Sequence, residues 1–169
     1  MDKTSGNDKK FYVTTPIYYV NDQPHIGHAY TTILADVLTR FHKNAGDRSF
    51  FLTGVDEHGQ KVKQAAERRG LSPQAHCDDL APRFSNLWEK LNIRYDDFIR
   101  TTEERHARIV QKTLQAVYDR GDVYKNEYEG WYSVAEERFI TATEKESGRF
   151  GDVRQLKEAN WFFRMSRYR

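Results

Sequence analysis

The stretch Ser49-Phe50-Phe51-Leu52-Thr53 constrains the fold more than any other part of the chain. A short, nearly continuous apolar run without polar alternation suits a strand buried on both faces, as in a parallel sheet covered by helices. Two more strand candidates flank it. Lys10 to Thr15 is rich in aromatic and β-branched residues, and Pro16, which has no N–H for a ladder, ends it. Asp97-Phe98-Ile99-Arg100 is the third. The segments between them read as helices. From about Gly27 to Asn44, Ala29, Ile33, Val37 and Phe41 recur every four residues, with Tyr30, Leu34 and Leu38 alongside, and Gly46 is the stop. Gly54 is expected to let the chain turn out of the second strand. A helix from about Gly59 to Arg69 sets Val62, Ala65 and Ala66 on one side and ends at Gly70. Ser72 and Pro73 offer an N-cap and a pre-set first residue for a helix to about Leu91, in which Pro82 predicts a kink or break. Thr102 is placed to cap a fourth helix ending near Arg120. Glu103 and Glu104 lie in its positive first turn, and Ile109, Val110, Leu114, Val117 and Tyr118 form its buried stripe. Strand and helix alternating in this way predict an α/β fold with a parallel sheet.

Past Gly121 the period changes. Tyr128 to Val134 and Glu137 to Thr141 read as short strands around a turn, Ser147 to Gly151 as a loop, and Asn160 to Met165 as a last strand. The expected organisation is a disordered leader over 1–9, an α/β domain over 10–121 and a small β-rich insertion over 122–169. With 10 Phe, 10 Tyr and 3 Trp in 169 residues, the chain has the aromatic content of a folded protein. No stretch approaches 18 apolar residues, so no transmembrane helix is expected. Met1 to Lys10 has no apolar signal core. A single cysteine, Cys77, excludes an internal disulfide and a multi-cysteine zinc site, and a reducing, cytoplasmic setting is the simplest home. The formal net charge of +2 neither demands nor forbids a nucleic acid partner. The balance is uneven, with a net −4 from Asp122 to Glu146 and a net +4 from Arg149 to Arg169, as solvated faces often show.

Pro24-His25-Ile26-Gly27-His28 stands where the first strand hands over to the first helix. The region outside the carboxyl ends of the strands is the usual ligand site in α/β folds. A helix start there offers free N–H donors and partial positive charge, both suited to phosphate. Gly27 lets a planar ring or phosphate come close, and His25 and His28, three apart, can face one side of the first turn. Such imidazoles could donate to phosphoryl oxygens as charge builds. On the residues alone a nucleotide site, a zinc site completed by a third ligand from elsewhere, and ordinary polar surface all stand open. Ile17 and Tyr18 read equally well as core at a strand end. Asp56 and His58 suggest a triad fragment, but no serine elbow accompanies them, which argues against hydrolysis. Gly54 to Gly59 lacks the G-x-G-x-x-G form of a dinucleotide fold.

Thr14 to Asp22 followed by His25-Ile26-Gly27-His28 resembles the start of the methionyl-tRNA synthetases, with the His-Ile-Gly-His signature of class I aminoacyl-tRNA synthetases. Further matching stretches follow in family order: Thr53 to Lys61, Phe98 to Thr102, Tyr128 to Tyr132 and Phe162 to Ser166. The resemblance spans about Lys10 to Arg169. It implies the first half of a nucleotide-binding Rossmann-like sheet followed by the start of a connective insertion. It also implies ATP-dependent activation of methionine to methionyl-adenylate and transfer to the 3′ end of tRNA(Met). By this resemblance His25, Gly27 and His28 hold ATP, taken as its Mg²⁺ complex. Pro16, Ile17 and Tyr19 line the methionine pocket, and Asp56 receives the substrate's α-ammonium group. An apolar slot suits a thioether, and a carboxylate suits an ammonium.

Many family members carry zinc-binding cysteines in the insertion. Here Ser133 follows Tyr132 and no cysteine occurs through Gly151, so no structural zinc is expected. The hairpin would be held by packing, with Trp131, Tyr132, Phe139 and Phe150 as contributors and Trp131 alternatively a stacking platform for tRNA bases. Arg164-Met165-Ser166-Arg167 resembles the second family signature, Lys-Met-Ser-Lys-Ser, but Phe162-Phe163 before it place it in the strand leading out of the insertion. The chain is therefore expected to be a fragment with little aminoacylation activity by itself, prone to self-association through uncovered apolar faces. A mitochondrial origin stays open. Two rival readings stand beside this one: a non-catalytic nucleotide- or RNA-binding module on the same fold, and a class I synthetase for another apolar amino acid.

Overall fold

A computed structural model describes residues 9–136 and 138–168. The expected leader lies, apart from Lys9, outside the described residues, as does Glu137 at the start of an expected strand. The chain divides into two compact units, one ending at Ile109 and the other running Val110–Arg169.

The first unit is built on a parallel sheet. Its strands are β1 (Lys10–Thr14), β2 (Tyr18–Tyr19), β3 (Arg48–Asp56) and β4 (Asp97–Arg100). β1 pairs with the first half of β3, from Lys10↔Arg48 to Thr14↔Leu52, and β2 pairs with its end, Tyr18↔Val55 and Tyr19↔Asp56. β4 pairs with β3 from Leu52↔Asp97 to Val55↔Arg100. Leu52 and Val55 each have partners in both directions, so β1 and β2 share one edge of β3 and β4 takes the other. β2 is thus β1 resumed beyond Pro16. This resumption was not expected from the sequence. Pro16 interrupts the ladder without ending it, and the alternation Ile17 exposed, Tyr18 buried, Tyr19 exposed is that of a strand.

Parallel strands need crossovers, and helices supply them. α1 (Ile26–Asn44) joins β2 to β3, and α2 (Gln60–Arg68) and α3 (Pro73–Lys90) join β3 to β4. α3 is capped by Ser72, whose Oγ accepts from Ala75 N at 3.2 Å, and it runs through Pro82 without a break. Its buried Cys77, Leu80, Ala81, Phe84 and Trp88 follow a helical repeat and meet Val20, Phe51 and Val55 of the sheet region in one core. Each fully buried large apolar side chain there contributes roughly 1.5–3 kcal/mol.

Several local expectations are corrected. β3 is buried on both faces only in its second half, since Phe50 is 45% exposed while Phe51 and Val55 are fully buried. Gly54 lies inside β3, not at a turn. A Cβ there would stand 2.1 Å from Ile99 O, so the residue is small because β4 passes close. α1 turns Thr32, Ala35, Asp36 and Thr39 inward, while Ile33, Leu34, Val37, Leu38 and Phe41 are exposed. Small side chains and internally bonded hydroxyls let this helix lie close to the sheet: Thr32 Oγ1 donates to His28 O at 2.8 Å and Thr39 Oγ1 to Ala35 O at 2.7 Å.

α4 (Glu104–Asp119) buries Val117 alone of the five residues expected as its stripe. Leu114 is 57% exposed and shares a groove with Tyr118 and Trp161, whose rings meet edge-on at 5.7 Å. Thr102 does not cap α4. Glu103 O starts the helix by accepting from His106 N and Ala107 N, and the Thr102 hydroxyl donates to Glu57 Oε2.

The second unit holds an antiparallel sheet of order β6-β5-β7, made of β5 (Val123–Ser133), β6 (Arg138–Ile140) and β7 (Val153–Phe163). β5 and β7 pair over their whole length, from Val123↔Phe163 to Ser133↔Val153. Both are longer than their apolar signals, because polar residues such as Lys125 and Asn126 pair equally well on an exposed ladder. A short helix, α5 (Ala142–Glu146), follows a Thr141–Glu144 capping box, a signal absent from the strand pattern. Bonds from Arg138 and the Thr141 N–H pull the Glu144 carboxyl down to about 2. Rings fasten this unit. Phe139 lies edge-on to Tyr128 at 4.6 Å and to Tyr132 at 5.2 Å, Arg138 sits over Phe150, and Lys145 sits over Trp131. Ser133 is fully buried, and its Oγ accepts from Glu136 N at 3.3 Å to close the turn. Among the described residues no group of three or more His, Cys, Asp or Glu could hold a metal, and no helix is long and apolar enough to cross a membrane.

Candidate active site

The first turn of α1 is closed by its own histidines. His25 is the N-cap in extended conformation, and its Nδ1 accepts from Gly27 N at 3.1 Å. His28, at the third helical position, returns the bond: its Nδ1 accepts from His25 N at 3.2 Å. Two helix-end N–H groups are thereby satisfied reciprocally by imidazoles, in the manner of a capping box. The two rings stack with centroids 3.7 Å apart and planes 21° apart. Because each Nδ1 accepts, this hydrogen-bond pattern assigns the hydrogen of each neutral ring to Nε2. Partial burial and the charge of His25 both lower the pKa of His28, favouring its neutral form. The site thus presents two Nε2–H donors at the positive end of a 19-residue helix.

Gly27 has a close neighbour of its own. A Cβ there would stand 2.9 Å from His25 Cε1 and 3.1 Å from His25 Nδ1. The glycine is what lets the His25 ring lie flat over the helix start.

His28 is braced from beneath. Its ring lies 4.6 Å from that of Tyr18 and 5.4 Å from that of Phe84. The Tyr18 hydroxyl is within 2.6 Å of Thr31 Oγ1 and 2.9 Å of Thr32 Oγ1, which fastens β2 to α1. Tyr18 belongs to the core, whereas its neighbours Ile17 and Tyr19 are 45% and 43% exposed. Pro16 is exposed too, in a groove beside Thr31 and Leu34. Lys61 Nζ stands 6.0 Å from the Tyr19 ring centroid.

Asp56 ends β3 opposite Tyr19 in register. Tyr18, the residue before Tyr19, touches His28, so the start of α1 and the end of β3 both lie at the carboxyl end of the sheet. Asp56 is not a helix cap, because α2 is preceded by Gly59 with no side-chain cap. Its Oδ1 instead accepts from His58 N at 3.1 Å and from Thr101 Oγ1 at 3.4 Å, and among the described residues Oδ2 accepts no hydrogen bond. Glu57, 4% exposed, pairs with Arg100 Nε at 2.7 Å, and Arg100 reaches on to Asp78 at 2.5 Å. Nearby Cys77 is almost wholly buried. Burial, reinforced by Glu57, pushes its thiol up to about 11, which leaves it inert.

Sequence reasoning missed two parts of this arrangement, the Tyr18 brace and the Arg100–Thr101–Thr102 corner around Glu57. The alternation Ile17-Tyr18-Tyr19 was a signal for the first. The second rests on contacts across more than forty residues, which no local pattern reveals.

A family model for "tRNA synthetases class I (M)" matches residues 11–148. The methionine–tRNA ligase of Fusobacterium nucleatum is 51% identical over 165 residues, covering 95% of this chain and 26% of the relative. That of Thermotoga maritima is 52% identical over 168 residues, covering 95% and 27%. Among solved structures, Mycobacterium tuberculosis methionyl-tRNA synthetase in complex with methionyl-adenylate superposes with a TM-score of 0.84 at 39% identity, over 95% of this chain and 33% of that one. A leucyl-tRNA synthetase complex from Agrobacterium radiobacter shares the fold, with a TM-score of 0.79 at 22% identity over 98% of this chain and 22% of that one. The chain spans about a quarter of the length of the curated relatives it matches. The chain belongs to the methionyl-tRNA synthetase family of class I.

Proposed function

We propose that this chain carries the ATP- and methionine-binding half-site of a methionine–tRNA ligase, which forms methionyl-adenylate and passes methionine to the 3′ end of tRNA(Met) in the cytoplasm. The observation that carries the reading is the stacked, self-capped His25–His28 pair at a helix start, with the Asp56 carboxylate on the adjoining strand end.

In this reading His25, Gly27 and His28 hold ATP. The two Nε2–H groups and the helix start donate to the phosphates, and their value grows as negative charge builds on the α-phosphorus. ATP arrives as its Mg²⁺ complex, the metal belonging to the substrate. Asp56 Oδ2 takes the α-ammonium of methionine in a charge-assisted bond, which turns the amino acid's carboxylate toward the α-phosphorus. Attack by that carboxylate oxygen forms the mixed anhydride and breaks the bond to the departing pyrophosphate, with no covalent enzyme intermediate. Pro16, Ile17 and Tyr19 line the slot for the thioether side chain in this reading, Tyr19 being the one in register with Asp56.

The experiment is calorimetric titration of the chain with non-hydrolysable methionyl- and leucyl-adenylate analogues. The reading expects the methionyl analogue to bind more tightly by roughly 10- to 200-fold, the discrimination an apolar pocket gives for small shape differences. Equal affinity for the two analogues would speak for a general nucleotide-binding module instead.

A further inference from the structure

Asp56 does not keep its position unaided. The segment Asp56-Glu57-His58 is tied at each residue to the end of β4. Glu57 N donates to Thr101 Oγ1 at 2.9 Å, and the same hydroxyl donates to Asp56 Oδ1 at 3.4 Å. One hydroxyl thus accepts from the loop backbone and gives its only hydrogen to the carboxylate. His58 Nε2 stands 3.3 Å from Thr101 O. Between them the Glu57 side chain, with no exposed surface, receives Arg100 at Oε1 and Thr102 at Oε2. A carboxylate so buried is held only where its partners are, because moving it from them would leave an unpaired charge in the interior. Arg100 is fixed in turn by Asp78 on α3. The loop bearing Asp56 therefore has little freedom, and both of the carboxylate's bonds fall on Oδ1.

We infer that Thr101, backed by the Arg100–Glu57 pair, is the positioning residue for Asp56: it holds Oδ1 and so presents Oδ2 to the substrate's α-ammonium group. Thr101 itself touches no substrate in this scheme. The inference rests on the proposed role of Asp56 and extends it to a residue outside the family's His-Ile-Gly-His word.

The test separates the ammonium from the rest of the ligand. The full chain is titrated with a non-hydrolysable methionyl-adenylate analogue and with its counterpart lacking the α-amino group. Thr101→Val keeps the shape and removes the hydroxyl. It should weaken the amine-bearing analogue about tenfold while leaving the des-amino analogue within about twofold. Thr101→Ser, which keeps the hydroxyl, should restore the parent's preference. A merely structural role would weaken both analogues together, and that outcome overturns the inference, as does a Thr101→Val chain that binds both like the parent. Should Thr101→Val lose its circular dichroism spectrum, Arg100→Lys provides the same comparison, since it keeps the charge but not the bonding geometry. Arg100→Lys should then weaken the amine-bearing analogue selectively, and an equal effect on both analogues overturns the inference. If the unsubstituted chain prefers the amine-bearing analogue and these variants do not disturb the preference, this inference falls alone. If the unsubstituted chain binds neither analogue, the adenylation reading falls and takes the inference with it.

Discussion

Replacing Gly27 by alanine should separate the stability of the first helix turn from its chemistry. The new Cβ would meet His25 Cε1 at 2.9 Å and Nδ1 at 3.1 Å, and the yielding partner is a side-chain ring at the surface. The ring swings aside, leaving Gly27 N without its acceptor and breaking the stack with His28. Loss of an N-cap acceptor costs about 0.5–2 kcal/mol. Alanine in place of glycine returns up to about 1 kcal/mol of helix propensity. The two nearly cancel, so unfolding free energy should change by no more than about 1 kcal/mol in either direction. Ligand binding has no such compensation. A displaced His25 forfeits a hydrogen bond to a charged phosphate, about 1.5–3 kcal/mol, or roughly 10- to 150-fold in affinity. The assay pairs a urea melt with titration of the methionyl-adenylate analogue. Near-unchanged stability with that loss of affinity is expected. A Gly27→Ala chain that binds like the parent would refute the argument, and so would one destabilised by several kcal/mol.

Other perturbations test other parts of the account. Gly54→Ala puts a Cβ 2.1 Å from the Ile99 carbonyl oxygen, a backbone atom that cannot step aside, so a loss of at least about 3 kcal/mol in a urea melt is expected, against near-neutral behaviour if β3 and β4 can part freely. His28 has a lowered pKa in the fold, so the folded chain binds its proton less readily than the unfolded one. Its contribution is whole above about pH 6.5 and is lost as the pH falls through the lowered value, giving a thermal midpoint that drops on acidification less steeply in His28→Asn than in the parent. Cys77 should resist a thiol reagent at pH 8 until the chain is unfolded, because its thiol titrates near 11 and is almost fully covered, and rapid labelling of the native chain would contradict that.

What could be read in the sequence was what neighbouring residues decide. Strand β1, helices α1, α2 and α3 and strand β4 lie close to where apolar period, Ser72-Pro73 and the terminal glycines put them, because each signal acts within one or two turns. His25, Gly27 and His28 stood out as a candidate phosphate site because a helix start is a local feature, whereas Asp56 entered as a substrate ligand only through the family resemblance. Local patterns failed where a distant element decides. Gly54 resembles a turn glycine until β4 is laid against it. The large residues of α1 and α4 look like core until Thr32, Ala35 and Thr39 are found facing the sheet and Leu114 facing outward. That His25 and His28 cap one another, in place of waiting free for a ligand, follows from the spacing of three only once their tautomers are considered. The corner around Glu57 joins residues 43 to 45 positions apart and had no signature at all.

The central claim is that two imidazoles and one carboxylate form a single ligand site. Nitrogen-15 imidazole spectra and carbon-13 carboxyl spectra of the chain, followed during addition of the methionyl-adenylate analogue, test it most directly. The account predicts Nε2–H tautomers for His25 and His28 in the free chain, and shifts of both rings and of the Asp56 carboxyl that saturate together at one equivalent. Nδ1–H tautomers, or a bound analogue that moves the rings and leaves Asp56 untouched, would contradict it.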